Sequence, residues 1–383
     1  MEHFRISPAK WDPIQEMSKL VVVVPSYRPE QVSSFRDRWV TPELPVRFVH
    51  VHDSPTLLDA PGGLDHDCTT HVCWADADRM LGDSAWIISR RTDAVRSLGF
   101  LVAAEMGASY VCSIDDDCKP PPGGVAEVRR FWESHLAPLC RGMSPTFSTT
   151  GDREWARPRG LPRPDEDLSE TSVPVVINHG LWDGVMDRSG RDELEVTDGG
   201  NVPVPLDRFD SETTVVPKGF FYPMCGMNVC FRIEMLPSMY FGLQGHIVER
   251  DGSLSKLRYD RYGDIWAGMV SKMVADDLGL SVTSGPPNVM HDRQSNSHVN
   301  ADKERHGLVL HPKLLRDIFD VVSRWTPVGS RHGRQDAVAV ATVVREISSL
   351  LSCTGLEGYD QDEIDYLNMW STALDGWVGF SVR

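Results

Sequence analysis

The sequence predicts an α/β protein with a helical appendage at its C-terminal end, and three observations lead there. "KLVVVVPSY" (19–27) is a continuous β-branched run stopped by proline, the pattern of a parallel strand buried on both faces. Strand-like and helix-like stretches then alternate, which builds an α/β sheet. From about residue 301 the texture changes to amphipathic helices, "PKLLRDIFDVVSRW", "DAVAVATVVREISSLL" and "QDEIDYLNMWSTALDGWV". The expected division is therefore 1–300 for the sheet domain and 301–383 for a helical extension.

The elements follow in order. "VRFVHVHDSP" (46–55) is a second strand that ends at Asp53. Residues 54–85, rich in Asp, Gly, Pro and Cys, read as a long loop or insertion. "RTDAVRSLGFLVAAEMGA" (91–108) has helical periodicity, and "SYVCSI" (109–114) is a third strand with Asp115, Asp116 and Asp117 at its C-terminal edge. Residues 151–172 are polar, rich in Arg and Pro, and read as a surface loop. "TSVPVVINHGLWDG" resumes strand character. "VVPKGFFYPMCGMNVCFR" (215–232) is apolar and punctuated by glycine, which points to a close backbone approach. "YGDIWAGMVSKMVADDLGL" (262–280) is a helix with Gly279 as its stop, and the strand "LSVTSG" leads on to "NVMHDRQSNSH". Trp370, Leu374 and Trp377 form a stripe that reads as core or subunit contact rather than as a ligand box.

Composition excludes some functions. The chain has 383 residues and a net charge of −16, so it carries no basic footprint for nucleic acid or anionic lipid. Eight cysteines in this length are no disulfide scaffold, and no paired C-x-x-C suggests zinc. Cys112, Cys225 and Cys230 stand in apolar surroundings and read as buried thiols. No apolar run nears the roughly 18 residues that span a bilayer, and no signal-peptide pattern is present. A reducing cytoplasm is the expected location.

Three adjacent carboxylates behind an apolar strand repel one another and resist desolvation. A solvated turn explains them without function. The alternative is a bound cation, because ligands of α/β sheets sit at the carboxyl ends of the strands. A D-x-D pair at a strand end can hold a divalent ion and a sugar hydroxyl, and the ion then stabilises a diphosphate as leaving group. Other nucleotide chemistry lacks its motifs. There is no G-x-G-x-x-G after the first strand, no P-loop, no H-E-x-x-H and no G-x-S-x-G.

Several blocks, in this order, carry a resemblance: "VVVVPSYR" (21–28), "SIDDDC" (113–118), "NHGLWD" (178–183), "VPKGFFYPMCGMNVCF" (216–231), "MYFGLQG" (239–245), "YGDIWAG" (262–268) and "LGLSVTSGPPNVMHDRQSNSHVN" (278–300). The chain resembles the reversibly glycosylated polypeptides, which include plant UDP-arabinopyranose mutases, over roughly residues 19–308. The resemblance implies a glycosyltransferase-A-like nucleotide-binding sheet. It implies a nucleotide-sugar substrate, Mn²⁺ or Mg²⁺ at the D-x-D motif, and no flavin. Asp117 is then the direct metal ligand, Asp115 lies near the ribose or the metal's waters, and Asp116 matches the middle acid. His291 stands where such folds supply a third ligand, which suits Mn²⁺. Pro25, Tyr27 and Arg28 would pack the uridine, Asp53 would bond the uracil edge, and Arg96 would face the diphosphate.

Two departures matter. Where the family commonly has two acids before W-A-G, this chain has Gly263 and Asp264. The arginine that the family glycosylates matches Arg159 in "RPRGLP", with Leu161 in place of an aromatic residue. The leading expectation is an enzyme that interconverts pyranose and furanose UDP-arabinose, with self-glycosylation at Arg159 and roles for Asp264 and Asp116 in catalysis. The alternatives are a metal-dependent glycosyltransferase acting on a separate acceptor (natural product, polysaccharide or modified nucleobase) and a non-catalytic complex subunit. Self-association through the C-terminal helices fits any of the three.

Overall fold

The computed structural model describes residues 11–64, 66–142, 173–185, 189–197, 203–204, 213–292, 296–323, 333–352 and 358–382. The strands are β1 (Leu20–Ser26), β2 (Arg47–His52), β3 (Thr69–Val72), β4 (Tyr110–Ile114), β5 (Cys118–Lys119), β6 (Val175–Val185), β7 (Pro203–Val204), β8 (Thr214–Val215), β9 (Asn228–Arg232), β10 (His246–Val248), β11 (Leu254–Lys256) and β12 (Ser281–His291). The helices are α1 (Pro13–Met17), α2 (Pro29–Trp39), α3 (Trp74–Leu81), α4 (Arg96–Glu105), α5 (Val125–Arg141), α6 (Gly190–Thr197), α7 (Gly263–Leu278), α8 (Ser297–Leu314), α9 (Asp320–Ser323), α10 (Ala337–Leu351) and α11 (Gln361–Ser381).

The main sheet runs β3-β2-β1-β4-β9-β6-β12-β5. Its first half, β3-β2-β1-β4, is parallel, β9 runs against both neighbours, and β6 and β12 are parallel again. The valine run of β1 does what its composition demands. Val21 and Val23 face one apolar cluster, which also holds α4 and α7, whereas Leu20, Val22 and Val24 face the other, with α2 and α5. Helix α4 lies close on the sheet because Gly99 has no side chain. A Cβ there would come within 2.4 Å of Val23 and 2.7 Å of Val51. Gly279 caps α7 in the left-handed region, φ +70°, as its position suggested.

Residues 54–85 are not one loop. They contain β3, which extends the sheet beyond β2, and α3, whose first turn is closed by Cys73 N–H donating to Asp76 at 2.8 Å. Four residues are too short a run to show alternation, and the helix starts without a turn signal. The Trp370, Leu374 and Trp377 stripe turns inward. Trp370 stacks on Trp266 at 5.2 Å and Trp377 on Tyr240 at 5.3 Å. Trp377 Nε1 donates to Leu236 O and Tyr366 Oη to Leu243 O, so α11 roofs the "MYFGLQG" segment. Cys112 and Cys230 are buried and Cys225 half-buried. Among the described residues no helix is long and apolar enough to cross a membrane.

Three histidines meet on β2 and β3. His52 Nε2 lies 2.8 Å from His71 Nδ1, and His50 stacks on His71 at 5.3 Å. Both ring nitrogens of His50 are buried without a hydrogen bond. Burial and the neighbouring rings push His50 well below the usual imidazole range, and burial above all pushes His52 down to about 4. The unfolded chain takes up these protons near pH 6.5, whereas the folded chain does so only at lower pH. Their contribution to stability is thus complete above about pH 6.5 and falls as the pH drops toward about 4. His50→Leu removes one such group at similar volume. Its urea midpoint is expected to fall less than the wild type's between about pH 7 and about pH 5, and equal falls would exclude this origin for the acid sensitivity.

Candidate functional site

The three aspartates sit where β4 gives way to β5, at the carboxyl ends of β1, β2 and β4, and each meets a different environment. Asp115 accepts a hydrogen bond from Arg96 Nη2 at 2.7 Å. Asp116 accepts one from Arg28 Nη2 at 3.0 Å, and its other oxygen is buried without a hydrogen bond. Among the described residues no hydrogen bond or ion pair holds Asp117. Burial, then repulsion from Asp115, raises the Asp117 carboxyl to about 7, against the pull of His291. Burial raises Asp116 to about 6 despite Arg28. Asp117 is therefore the one of the three whose carboxylate carries no guanidinium. There a cavity of about 400 Å³ opens, lined by Gln31, Ser34, Arg38, Asp117, Lys119 and Asp292.

Arg96 lies beneath the cluster, 1% exposed. Its guanidinium is spent on protein: Nε on Asp93 O, Nη1 on Ser113 Oγ and Gly226 O, Nη2 on Asp115. It is thus a support for Asp115 rather than an open cation. Gly226 lets its loop come this close, since a Cβ there would meet Arg96 Nη1 at 2.9 Å and Phe241 at 2.8 Å. The same peptide segment reaches Asp264. Gly226 N–H donates to Asp264 Oδ2 at 3.1 Å, and Ile265 N–H to Oδ1 at 2.8 Å, at the first turn of α7.

Pro25 is the penultimate residue of β1, with Tyr27 and Arg28 just past its end. Tyr27 is 64% exposed, and the Arg28 guanidinium lies 4.8 Å from its ring centre. Asp53 follows β2, joined to β1 by its N–H on Ser26 O at 2.7 Å. Its Oδ1 accepts from Trp74 Nε1 at 2.8 Å and from Arg91 N–H at 2.9 Å, and burial raises it to about 6. His291 ends β12, buried, and pairs in register with Cys118 of β5, next to Asp117.

Tyr27, Arg28, Asp53, Arg96, Asp115, Asp116, Asp117, Asp264 and His291 thus gather along one edge of the sheet. Arg159 lies outside the described residues. Among the described residues no three His, Cys, Asp or Glu side chains are already arranged around a metal position. Two further contacts were missed from sequence, the indole of Trp74 on Asp53 and the His179–Tyr222 pair, whose atoms lie 3.0 Å apart. Both residues of that pair stand in blocks that carry the resemblance. A lone histidine in a strand gives no sign of its partner.

The profile of the family "Reversibly glycosylated polypeptide" matches residues 15–347. The chain belongs to this family. It is 30% identical over 365 residues to UDP-arabinopyranose mutase 1 of Arabidopsis thaliana, covering 93% of this chain and 92% of that one. It is 32% identical over 267 residues to probable UDP-arabinopyranose mutase 1 of Pisum sativum, covering 69% of this chain and 67% of that one. A glucosyl-3-phosphoglycerate synthase structure from Mycobacterium tuberculosis overlaps 80% of this chain and 85% of that one at 14% identity, with a TM-score of 0.40, too distant to assign any role.

The missing acid at 263 has a steric counterpart. A Cβ on Gly263 would lie 2.3 Å from the carbonyl oxygen of Phe241, in the segment whose Leu243 carbonyl accepts from Tyr366 of α11. Gly263→Asp is therefore expected to destabilise the fold by about 1–3 kcal/mol, although it restores the family's acid. Thermal melting measures this, and a variant as stable as the wild type would show that the segment yields.

Proposed function

We propose that the protein interconverts the pyranose and furanose forms of UDP-arabinose. Family membership supports the reaction class, and one observation in the site carries it to these residues. Arg28 and Arg96 neutralise Asp116 and Asp115, whereas Asp117 is left beside His291 with its carboxyl raised by burial and repulsion. A carboxylate and an imidazole of this kind suit a hard divalent cation whose remaining ligands are water and diphosphate oxygens. Asp117 and His291 would hold Mn²⁺ or Mg²⁺, with Asp115 reaching it through water. Bound there, the ion would neutralise the diphosphate and favour its departure.

The chain's own side chains do the rest. Tyr27 offers an exposed aromatic face for the uracil, flanked by Pro25 and Arg28, at the ends of β1 and β2. Asp53, which would bond the uracil edge, is itself held by Trp74 and the Arg91 backbone at the end of β2. Arg96 fixes Asp115. Asp264, bonded by two backbone amides, sets the start of α7 against the sugar. Arg159 either carries the sugar for part of the cycle or steers the diphosphate. Seven free cysteines among the described residues suit a reducing cytoplasm. Self-association through the C-terminal helices would use their outer faces, such as Val338, because the tryptophan stripe is spent inside.

A second cavity favours the transferase alternative. It measures about 410 Å³, is lined by Ser189, Arg191, Pro223, Tyr262, Ile265 and His311 among others, and lies beside Asp264, where a separate acceptor would need space.

The purified chain with Mn²⁺ and UDP-arabinopyranose is expected to give UDP-arabinofuranose without net release of UDP. Asp117→Ala should keep the melting temperature and lose the Mn²⁺-dependent part of UDP binding. Equal UDP affinity with and without Mn²⁺ in the wild type would overturn the metal site. UDP release that depends on an added acceptor would replace the mutase with a transferase.

A further inference from the structure

Two consecutive amides of the loop before β9 anchor it to two different centres. Gly226 N–H donates to Asp264, as described. Cys225 N–H donates to His179 Nε2 at 3.0 Å. A ring nitrogen that accepts a hydrogen bond carries no proton, so the proton of this imidazole is on Nδ1. Nδ1 lies 3.0 Å from Tyr222 Oη and therefore donates to it. His179 is 5% exposed, and burial lowers its imidazole to about 4, so the ring stays neutral and the tautomer fixed. The edge of Trp182 closes the imidazole on another side. Tyr222 is only half-buried, and its hydroxyl also shares a hydrogen bond with the Ser284 side chain on β12, so a relay through it exchanges that bond for one to the sugar. Burial raises this hydroxyl to about 12, so it is a neutral donor and acceptor at ordinary pH.

On the mutase reading, the reaction needs such a group. Exchange of one ring for the other moves a proton from O4 to O5 of the arabinose. The nearby acids are poor carriers, and Asp117 is taken up by the metal on the proposed reading. Asp115 and Asp116 are bound by guanidiniums, and both oxygens of Asp264 accept backbone amides. We propose that Tyr222, positioned by His179, carries the proton between the two sugar oxygens.

The step balances without oxidant or reductant. UDP leaves C1 with the bonding pair, and the positive charge is shared by C1 and O5. A lone pair on O4 forms the new bond to C1. The O4 proton passes to Tyr222 Oη as the Tyr222 proton passes to O5, which takes the electron pair of the breaking C1–O5 bond. The charge is then shared by C1 and O4, and the UDP oxygen closes on C1. Tyr222 ends neutral, and the His179 N–H steadies its oxygen during the exchange.

Because this inference rests on the mutase reading, the test separates bond breaking from ring exchange. UDP-arabinopyranose labelled with ¹⁸O at the anomeric bridge is incubated with Mn²⁺ and each full-length variant. Scrambling of the label into the non-bridging phosphate positions needs only cleavage and return of UDP. Tyr222→Phe keeps the ring and removes the hydroxyl. It is expected to slow furanose formation about 100-fold or more, with scrambling and substrate affinity within about threefold of the wild type. His179→Asn keeps an N–H near the place of Nδ1 and should retain more isomerisation than His179→Leu, at equal scrambling. Furanose formation by Tyr222→Phe at the wild-type rate overturns the proposal. So does a parallel loss of scrambling and isomerisation in a folded Tyr222→Phe, which would mean a structural role. A wild type that scrambles nothing and forms no furanose overturns the mutase reading, and the proton carrier with it.

Discussion

The buried guanidinium of Arg96 is the contact on which the rest of this molecule turns. A cation taken out of water is costly unless every donor finds an acceptor. Here the acceptors come from four separate places in the chain: the carbonyl of Asp93, the hydroxyl of Ser113 on β4, the carbonyl of Gly226 and the carboxylate of Asp115. Helix α4, strand β4 and the loop before β9 are thereby fixed to one another at a single charge. Without it, the partly exposed carboxylate of Asp115 would lose its guanidinium, and Ser113 Oγ and Gly226 O would keep only their bond to each other. Gly226 is the sequence's concession to this contact, since a side chain there would occupy the guanidinium's place.

The peptide at Gly226 also joins opposite charges. Its N–H, from the peptide shared with Cys225, meets the carboxylate of Asp264, and its C=O, from the peptide shared with Met227, meets Arg96, so two successive peptide groups link an anion to a cation. Charge is well matched there and poorly matched a few residues away at Asp117. Local disagreement between a side chain and its surroundings tends to persist where function maintains it. Asp115 is held by a guanidinium, whereas Asp117, two residues on, has among the described residues only the longer-range attraction of His291 and Arg28 against its burial.

Much of this was legible in the sequence. Runs such as "VVVVPSY" and "YVCSI" are so apolar that only a sheet covered on both sides can hold them, and they place the aspartates at strand ends. The α7 helix and its glycine stop were readable for the same reason. Four features were not read. β3 is four residues long and gives no period to detect. α2 and α5 were passed over, although Pro29 at the first turn of α2 is a recognised start signal. The use made of Arg96 was also hidden. A sequence shows an arginine on a helix, but not that the helix lies face down on the sheet, which Gly99 permits. The His179–Tyr222 contact joins residues 43 apart, and no local pattern records such a pairing.

The inward stripe of α11 has a consequence for how the protein is made. The chain leaves the ribosome N-terminus first, so every strand of the main sheet is free to pair before residues 361–381 are synthesised. Until then Tyr240 and Trp266 lack the partners Trp377 and Trp370, and the carbonyl of Leu243 lacks the tyrosine hydroxyl that donates to it. The 236–245 segment borders Gly263 and so sets where α7 begins. A nascent chain can complete its sheet while α7 is still unsettled. Full order at the start of α7 then comes only after α11 has docked.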